Sequence, residues 1–227
     1  MANLKSKKKV VVDNSISALE GLELLKKACQ EKQRKFVENV DIAVNLTIDP
    51  KQSNQNIRGS VSLPAGTGKE VKVVVFTDDE SLQKEALEAG AIKAGLEDLI
   101  AEVEGGFLGF DYVVATPNAM KKMGKIAKIL GPRGLMPNPK NGNITVEIGK
   151  TVKEIMKGKV DFKNDKFGIV HVGVGKINFT TEDLLNNIKA VIEALKELKP
   201  ESAKGKYIKN IYLTSTMGPS FLISLDK

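Results

Sequence analysis

Between residues 71 and 116 the apolar side chains run together, whereas on either side of that stretch they alternate, and this change of pattern limits what the chain can become. Val71-Lys72-Val73-Val74-Val75-Phe76 and residues 111–116 are short, nearly continuous apolar segments of the kind that a sheet covers on both faces. Residues 78–88, 96–103, 118–130 and 151–157 carry helical spacing, with Pro117 where a helix start tolerates it and a short strand expected at residues 90–92. Strands that alternate with helices make a parallel α/β unit.

The flanks obey another rule. Val40, Ile42, Val44, Leu46 and Ile48 alternate with Asp41, Ala43, Asn45 and Thr47, and Ile57, Val61 and Leu63 share one side of a second strand. Half-buried antiparallel strands have this period of two. Residues 160–163 and 168–174 read as a hairpin about Asn164-Asp165, and residues 207–214 and 220–225 as strands around Met217-Gly218-Pro219. Residues 15–30 form an expected helix with Asn14 or Ser15 as cap, in which Ile16, Leu19, Leu22 or Glu23, Leu25 or Lys26, and Cys29 follow the helical period. Residues 181–198 form another, with Leu184, Leu185, Ile188, Val191, Ile192 and Leu195 on one face. Neither flank alone holds enough strands for a stable sheet. The expected architecture is therefore α/β and α+β in two domains. Residues 1–66 and 160–227 make a split α+β domain, and residues 67–159 an inserted α/β domain, with crossings at 64–69 and 157–159.

Charge separates the two parts. The chain carries 35 Lys+Arg against 28 Asp+Glu, a net charge of +7 that points to a polyanionic partner. Residues 1–66 hold 11 basic and 7 acidic groups and residues 160–227 hold 10 and 8, but the insert holds 14 and 13, so the split domain is the better polyanion binder. Inside the insert, residues 70–111 sum to −8 and residues 112–159 to +8; there Lys121, Lys125 and Lys128 lie along one helix face able to meet a nucleic acid.

Several chemistries lack their residues. Cys29, the single cysteine, excludes an internal disulfide and a cysteine zinc site, and reads as a small buried apolar residue. With His171 alone, no histidine pair can hold a metal. No apolar run approaches the ~18 residues of a membrane span, and the lysines at 5, 7, 8 and 9 precede no signal-peptide core, so a cytoplasmic location is expected. A nucleotide-dependent enzyme built on the α/β insert is the alternative, but its loops disagree. Gly66-Thr67-Gly68-Lys69 precedes a strand instead of following one, and Gly173-Val174-Gly175-Lys176 lacks an upstream glycine and has Ile177 where a Mg²⁺-binding hydroxyl belongs. No catalytic residue and no cofactor is expected.

Residues 131–140, Gly-Pro-Arg-Gly-Leu-Met-Pro-Asn-Pro-Lys, hold three prolines and two glycines and must form a loop of nearly fixed shape, with Leu135 and Met136 packed down. This run resembles the signature of the bacterial large-subunit ribosomal protein one family. So do Phe36-Val37-Glu38-Asn39-Val40, Asp49-Pro50, Gln55-Asn56-Ile57-Arg58-Gly59, Leu63-Pro64, Gly66-Thr67-Gly68-Lys69 and Thr214-Ser215-Thr216-Met217-Gly218-Pro219-Ser220, in the family's order. Ala65 stands where histidine is expected, and Asn143 where threonine is common. The resemblance implies a split α+β RNA-binding domain with a Rossmann-like insert. It also implies binding of large-subunit ribosomal RNA at the mobile stalk beside the tRNA exit site, repression of the protein's own operon mRNA, and a monomer off the ribosome. Carried over by position, the RNA-binding residues are Lys35, Phe36 and Glu38 at the first strand, Ser215, Thr216, Met217 and Gly218 as a second patch, and in addition His171 and Lys166. Their chemistry suits that role: hydroxyls both donate and accept, glycine admits a close backbone, and Phe36 and Met217 can shield such contacts from water.

Overall fold

Helix α1 (Ala18–Glu31) starts where Ser17 accepts a hydrogen bond from the Glu20 N–H at 3.2 Å while the Glu20 carboxylate accepts from the Ser17 N–H at 3.3 Å. This reciprocal capping box satisfies two otherwise orphaned donors. The cap is thus later than the expected Asn14 or Ser15, because Ile16 and Ser17 are a strand of their own, β1 (Ile16–Ser17). The computed structural model describes residues 15–32, 34–201, 203 and 205–224; Asn14, the N-terminal lysines and Leu225 lie outside them. The buried stripe of α1 is Ala18, Gly21, Leu22 and Leu25, and Leu19 is exposed.

The fold is mixed α/β. A five-stranded sheet runs in the order β1-β10-β9-β2-β8, with β2 (Asn39–Leu46) between β8 (Ile169–Lys176) and β9 (Ile208–Ser215), and β10 (Ser220–Ser224) beyond β9. All pairs are antiparallel except β1 with β10. Val40, Ile42, Val44 and Leu46 of β2 point into a core shared with α1 and with α7 (Thr181–Glu197), where Leu184, Ile188, Val191, Ile192 and Leu195 are buried as their spacing predicts. Asp41, Ala43 and Asn45 face the other way.

Asn187 is fully buried on the same face of α7. Its amide donates to the carbonyls of Val174 at 2.7 Å and Gly66 at 3.1 Å, and its oxygen accepts from the Ala65 N–H at 3.1 Å. One side chain thus ties the 64–66 segment to a helix and to β8. Asn187→Ala leaves three backbone groups without that partner, and a loss of about 3 kcal/mol in urea unfolding is expected; a change below about 0.5 kcal/mol would show the 64–66 segment is held elsewhere.

The expected hairpin of residues 160–174 does not form as a ladder. Strand β7 (Lys159–Lys163) instead pairs with β3 (Arg58–Ser62) in a separate two-stranded ribbon, and its continuation meets β8 through the Asn164–Val170 bridge and the Asp165 N–H to Ile169 carbonyl bond at 2.8 Å. The cause is local: Asn164 accepts the Ile57 N–H on its side chain at 2.7 Å and returns its own N–H to the Ile57 carbonyl at 3.1 Å, which commits the end of β7 to the β3 segment.

The middle of the chain forms a parallel sheet, β5-β4-β6, from β4 (Val73–Phe76), β5 (Lys93–Gly95) and β6 (Tyr112–Ala115). All four β4 residues are buried. Helices α2 (Glu80–Glu88) and α6 (Ile148–Lys157) cover one face through Ala86, Ile148, Val152 and Ile155. Helices α3 (Glu97–Glu104), α4 (Pro117–Lys122) and α5 (Ala127–Leu130) cover the other through Leu99, Val103, Ala119 and Leu130. Two expectations fail here. The second strand sits at 93–95, not 90–92, because Gly90, at φ +106, and Ala91 are bonded back to α2. The expected single helix over 118–130 is broken by a 3-10 turn, Met123–Lys125, centred on Gly124, whose backbone freedom disfavours a continuous helix. Lys121, Lys125 and Lys128 are exposed.

In the 131–140 loop Leu135 and Met136 are half-buried against the α3–α5 core and not fully buried; the chain turns so that Leu130 and Pro137 take the deep positions. The loop delivers Asn141 and Asn143 to the β3–β7 ribbon, where their amides donate to Asp161 Oδ2 at 2.6 and 2.9 Å. Burial pushes the Asp161 carboxyl above its ordinary range, against the pull of those two amides.

Candidate nucleic-acid interface

The start of β2 and the end of β9 lie side by side, with Val40 opposite Ser215. The pairing continues one residue further. The Thr216 N–H donates to the Asn39 carbonyl at 3.1 Å, and the Asn39 N–H donates to Thr216 Oγ1 at 3.0 Å. Behind this rung sits Glu38, only 4% exposed, whose Oε2 accepts from the Ser215 hydroxyl at 2.7 Å and from the Met217 N–H at 3.0 Å. The Ser215 and Met217 donors hold the Glu38 carboxyl below its ordinary value, with the Arg34 guanidinium, 3.8 Å away, adding to the effect. Gly218 closes the turn by donating to the Ser215 carbonyl at 3.2 Å, and a Cβ there would collide with Ser215 Oγ. The glycine is needed to admit the protein's own hydroxyl.

Lys35 and Thr216 stand out from this framework, as do Phe36, 53% exposed, and Met217, 58% exposed. Beside them is a cavity of about 520 Å³ lined by Lys26, Cys29, Arg34, Lys35, Phe36 and Glu38. Cys29 is half-buried, not the buried apolar residue expected, and its Sγ lies 3.3 Å from Ser215 Oγ.

Of the residues carried over by resemblance, Lys35, Phe36, Glu38, Ser215, Thr216, Met217 and Gly218 come together here. Glu38 and Ser215 are buried and bonded to each other, so their side chains hold the face and do not present themselves on it. His171 and Lys166 stand apart. His171 pairs with Ala43, four residues along β2 from Asn39 and so roughly 13 Å away. It is exposed, with Nε2 4.0 Å from Asp165 Oδ2, and Lys166 is exposed on the turn before β8. Sequence reasoning missed Arg34, Lys26 and Asn39. Arg34 had a signal, the basic run that precedes Phe36; Asn39 had none, since its role depends on strand register.

The α/β part lacks the chemistry of a nucleotide site. Parallel sheets bind phosphate beyond the strand C-termini on glycine-rich turns. Here β4 runs into Thr77-Asp78-Asp79-Glu80 and β5 into Leu96-Glu97-Asp98, while Lys122 is engaged by Asp78 at 3.2 Å and Glu97 at 3.3 Å. Such a crowd of carboxylates repels phosphate. Among the described residues no cluster of three His, Cys, Asp or Glu could hold a metal ion, and no helix is long and apolar enough to cross a membrane.

The profile of the Ribosomal protein L1p/L10e family matches residues 24–219, a span that includes both halves of this face. The chain belongs to that family. Large ribosomal subunit protein uL1 of Maridesulfovibrio salexigens is 49% identical over 196 residues, covering 86% of this chain and 83% of its own. The uL1 proteins of Flavobacterium psychrophilum, 47% identical over 230 residues, and Hydrogenovibrio crunogenus, 44% over 228, cover 98% and 97% of their own lengths, and 100% and 98% of this L1-family chain. These relatives carry the names of ribosomal proteins and not of enzymes.

Proposed function

We propose that this L1-family protein is a structural constituent of the large ribosomal subunit and binds large-subunit ribosomal RNA through the face built from residues 34–39 and 214–218. The observation that carries this is the joining of two segments 177 residues apart, by hydrogen bonds from Ser215, Thr216 and Met217, into one rigid rim that exposes a cation, a ring, a hydroxyl and a thioether. Folded RNA offers 2′-hydroxyls and phosphates on a shallow groove, and a rigid rim of short polar groups beside Lys26, Arg34 and Lys35 fits it. In this assignment Lys35, Phe36, Thr216 and Met217 meet the RNA, Glu38, Ser215 and Gly218 hold them, and His171 and Lys166 are outer contacts further along the sheet. Residues 1–66 and 160–227 act as one RNA-binding domain, with residues 67–159 inserted. On the ribosome the protein sits at the mobile stalk beside the tRNA exit site. Off it, as a cytoplasmic monomer, it binds its own operon mRNA through the same face and represses translation. Kinship with proteins named for the large ribosomal subunit supports this reading.

Filter binding over a salt series tests it. Thr216 Oγ1 already accepts the Asn39 N–H, so its proton is the part left for RNA. Thr216→Val should weaken binding about tenfold, roughly 1–3 kcal/mol, almost independently of salt. Lys35→Ala should lower the slope of log K against log[salt] by roughly 0.7–0.9. If both folded variants bind ribosomal RNA like the unaltered protein, RNA does not touch this face.

A further inference from the structure

Among the described residues β5 pairs with β4 alone, so it forms an open edge of the parallel sheet. A cavity of about 510 Å³ lies against that edge, between α2 and α3. These helices cover opposite faces of the sheet, so the cavity opens at its rim. An open strand edge offers N–H and C=O groups to any chain that can lie alongside, and an outward lysine is a common guard against this. The lysine is present but drawn aside. Lys93 Nζ is held by Glu102 Oε2 at 2.6 Å and sits 4.6 Å from the centre of the Phe107 ring. Its charge is directed at α3 and Phe107, and the edge is left unguarded.

The two walls differ in chemistry. Ala94 packs into the α2–α6 core, and Ile92, two residues before it, shares that side of the strand. There Ile92 and Leu87 of α2 are 48% and 50% exposed. The opposite wall is acidic. Glu97, Asp98 and Glu102 of α3, with Asp78 beyond β4, give the lining four carboxylates against the single ammonium of Lys93. Lys122 reaches Asp78 and Glu97, but Asp98 has no cation within ion-pair distance among the described residues. The surrounding residues 70–111 sum to −8 in a chain of net charge +7. Such a lining repels a nucleic acid and attracts a cationic chain. Successive side chains of a strand point to opposite faces, so a strand laid along β5 would send alternate residues to the apolar wall and to the acidic wall.

We propose that this edge binds an extended segment of another polypeptide in which lysine or arginine alternates with aliphatic residues. The segment adds a strand beside β5, with its cations toward Glu97, Asp98 and Glu102 and its aliphatic side chains over Leu87 and Ile92. Since β5 has only three residues, backbone bonds are few and the carboxylates supply much of the attraction, so binding weakens as salt rises. The test is a titration of isotope-labelled full-length protein, followed by nuclear magnetic resonance at low salt. The probes are a synthetic Lys-Val-Lys-Val-Lys-Val peptide and a Lys-Pro-Lys-Pro-Lys-Pro peptide of equal charge but poor strand propensity. Both are repeated on Glu97→Gln/Asp98→Asn and on Leu87→Gln, with circular dichroism confirming each fold. The expected result is binding of the valine peptide, with shifts centred on Lys93, Ala94 and Gly95. It should be roughly fivefold weaker in the double variant, as two exposed charge contacts allow, and weaker also in Leu87→Gln. Absence of binding, equal binding of the proline peptide, an unaffected double variant or shifts centred away from β5 would each overturn the proposal. None of these variants touches residues 34–39 or 214–218, so failure here leaves the ribosomal RNA assignment standing.

Discussion

Glu38→Ala will nearly abolish RNA binding and cost about 2–4 kcal/mol of stability, although Glu38 itself touches no RNA in the assignment made above. The carboxylate is the common acceptor for the Ser215 hydroxyl and the Met217 N–H, and both donors lose their partner together. Stranding buried donors costs more than the bonds contribute. The larger consequence is geometric, since Thr216 and Met217 are aimed by that acceptor and their turn is free to shift without it. Acid should act in the same direction. The Glu38 carboxyl is held below its ordinary 4.5, so its contribution is fully present above pH 4.5 and fades as pH falls through the lower folded value. Glu38→Gln keeps the shape and one good acceptor, and should lose less affinity while flattening the acid limb. Binding isotherms and urea curves at several pH values measure both effects. An alanine variant that binds RNA normally would remove Glu38 from the mechanism.

The second large effect is expected at Gly158. It lies at φ +116, a conformation that only glycine adopts easily, and a Cβ there would sit 2.5 Å from Gly66 Cα. Gly158 also accepts the Leu63 N–H at 3.1 Å, so residues 63–66 and Gly158 are pressed together backbone to backbone. Neither backbone can yield as a side chain could. Gly158→Ala should therefore cost roughly 3 kcal/mol or more. Gly134→Ala is the matched comparison: its φ is +73, but nothing lies within 4 Å of the added methyl. The penalty there should be only the backbone term, about 1–2 kcal/mol. Equal midpoints in urea would mean that the Gly66–Gly158 approach opens readily and that the contact is not enforced.

Local features were legible in the sequence and register-dependent ones were not. The alternation in Val40, Ile42, Val44 and Leu46 declared β2 and its buried side, and the spacing from Leu184 to Leu195 declared α7, because each pattern is set within one element. The partner of β7 was not declared. Asn164 chose β3 through a bond to Ile57, more than a hundred residues earlier, over the strand next in sequence. The site divides in the same way. Lys35 and Phe36, recognised by resemblance, are indeed exposed, but no pattern tells a presented Thr216 from a buried Ser215 until β9 is set against β2. Asn187 could have been found, since an amide amid Leu184, Ile188 and Val191 on an apolar face needs partners.

The span from Glu38 to Ser215 also sets a clock. The 176 residues between them must be synthesised before the acceptor meets its donors, and β2 likewise waits for β9. A nascent chain, a prematurely terminated product or one cut ahead of β9 therefore carries Lys35 and Phe36 without the Ser215–Met217 half of the face. On the RNA-binding reading proposed above, recognition becomes a property of finished molecules alone, and fragments would not compete with whole protein for its RNA.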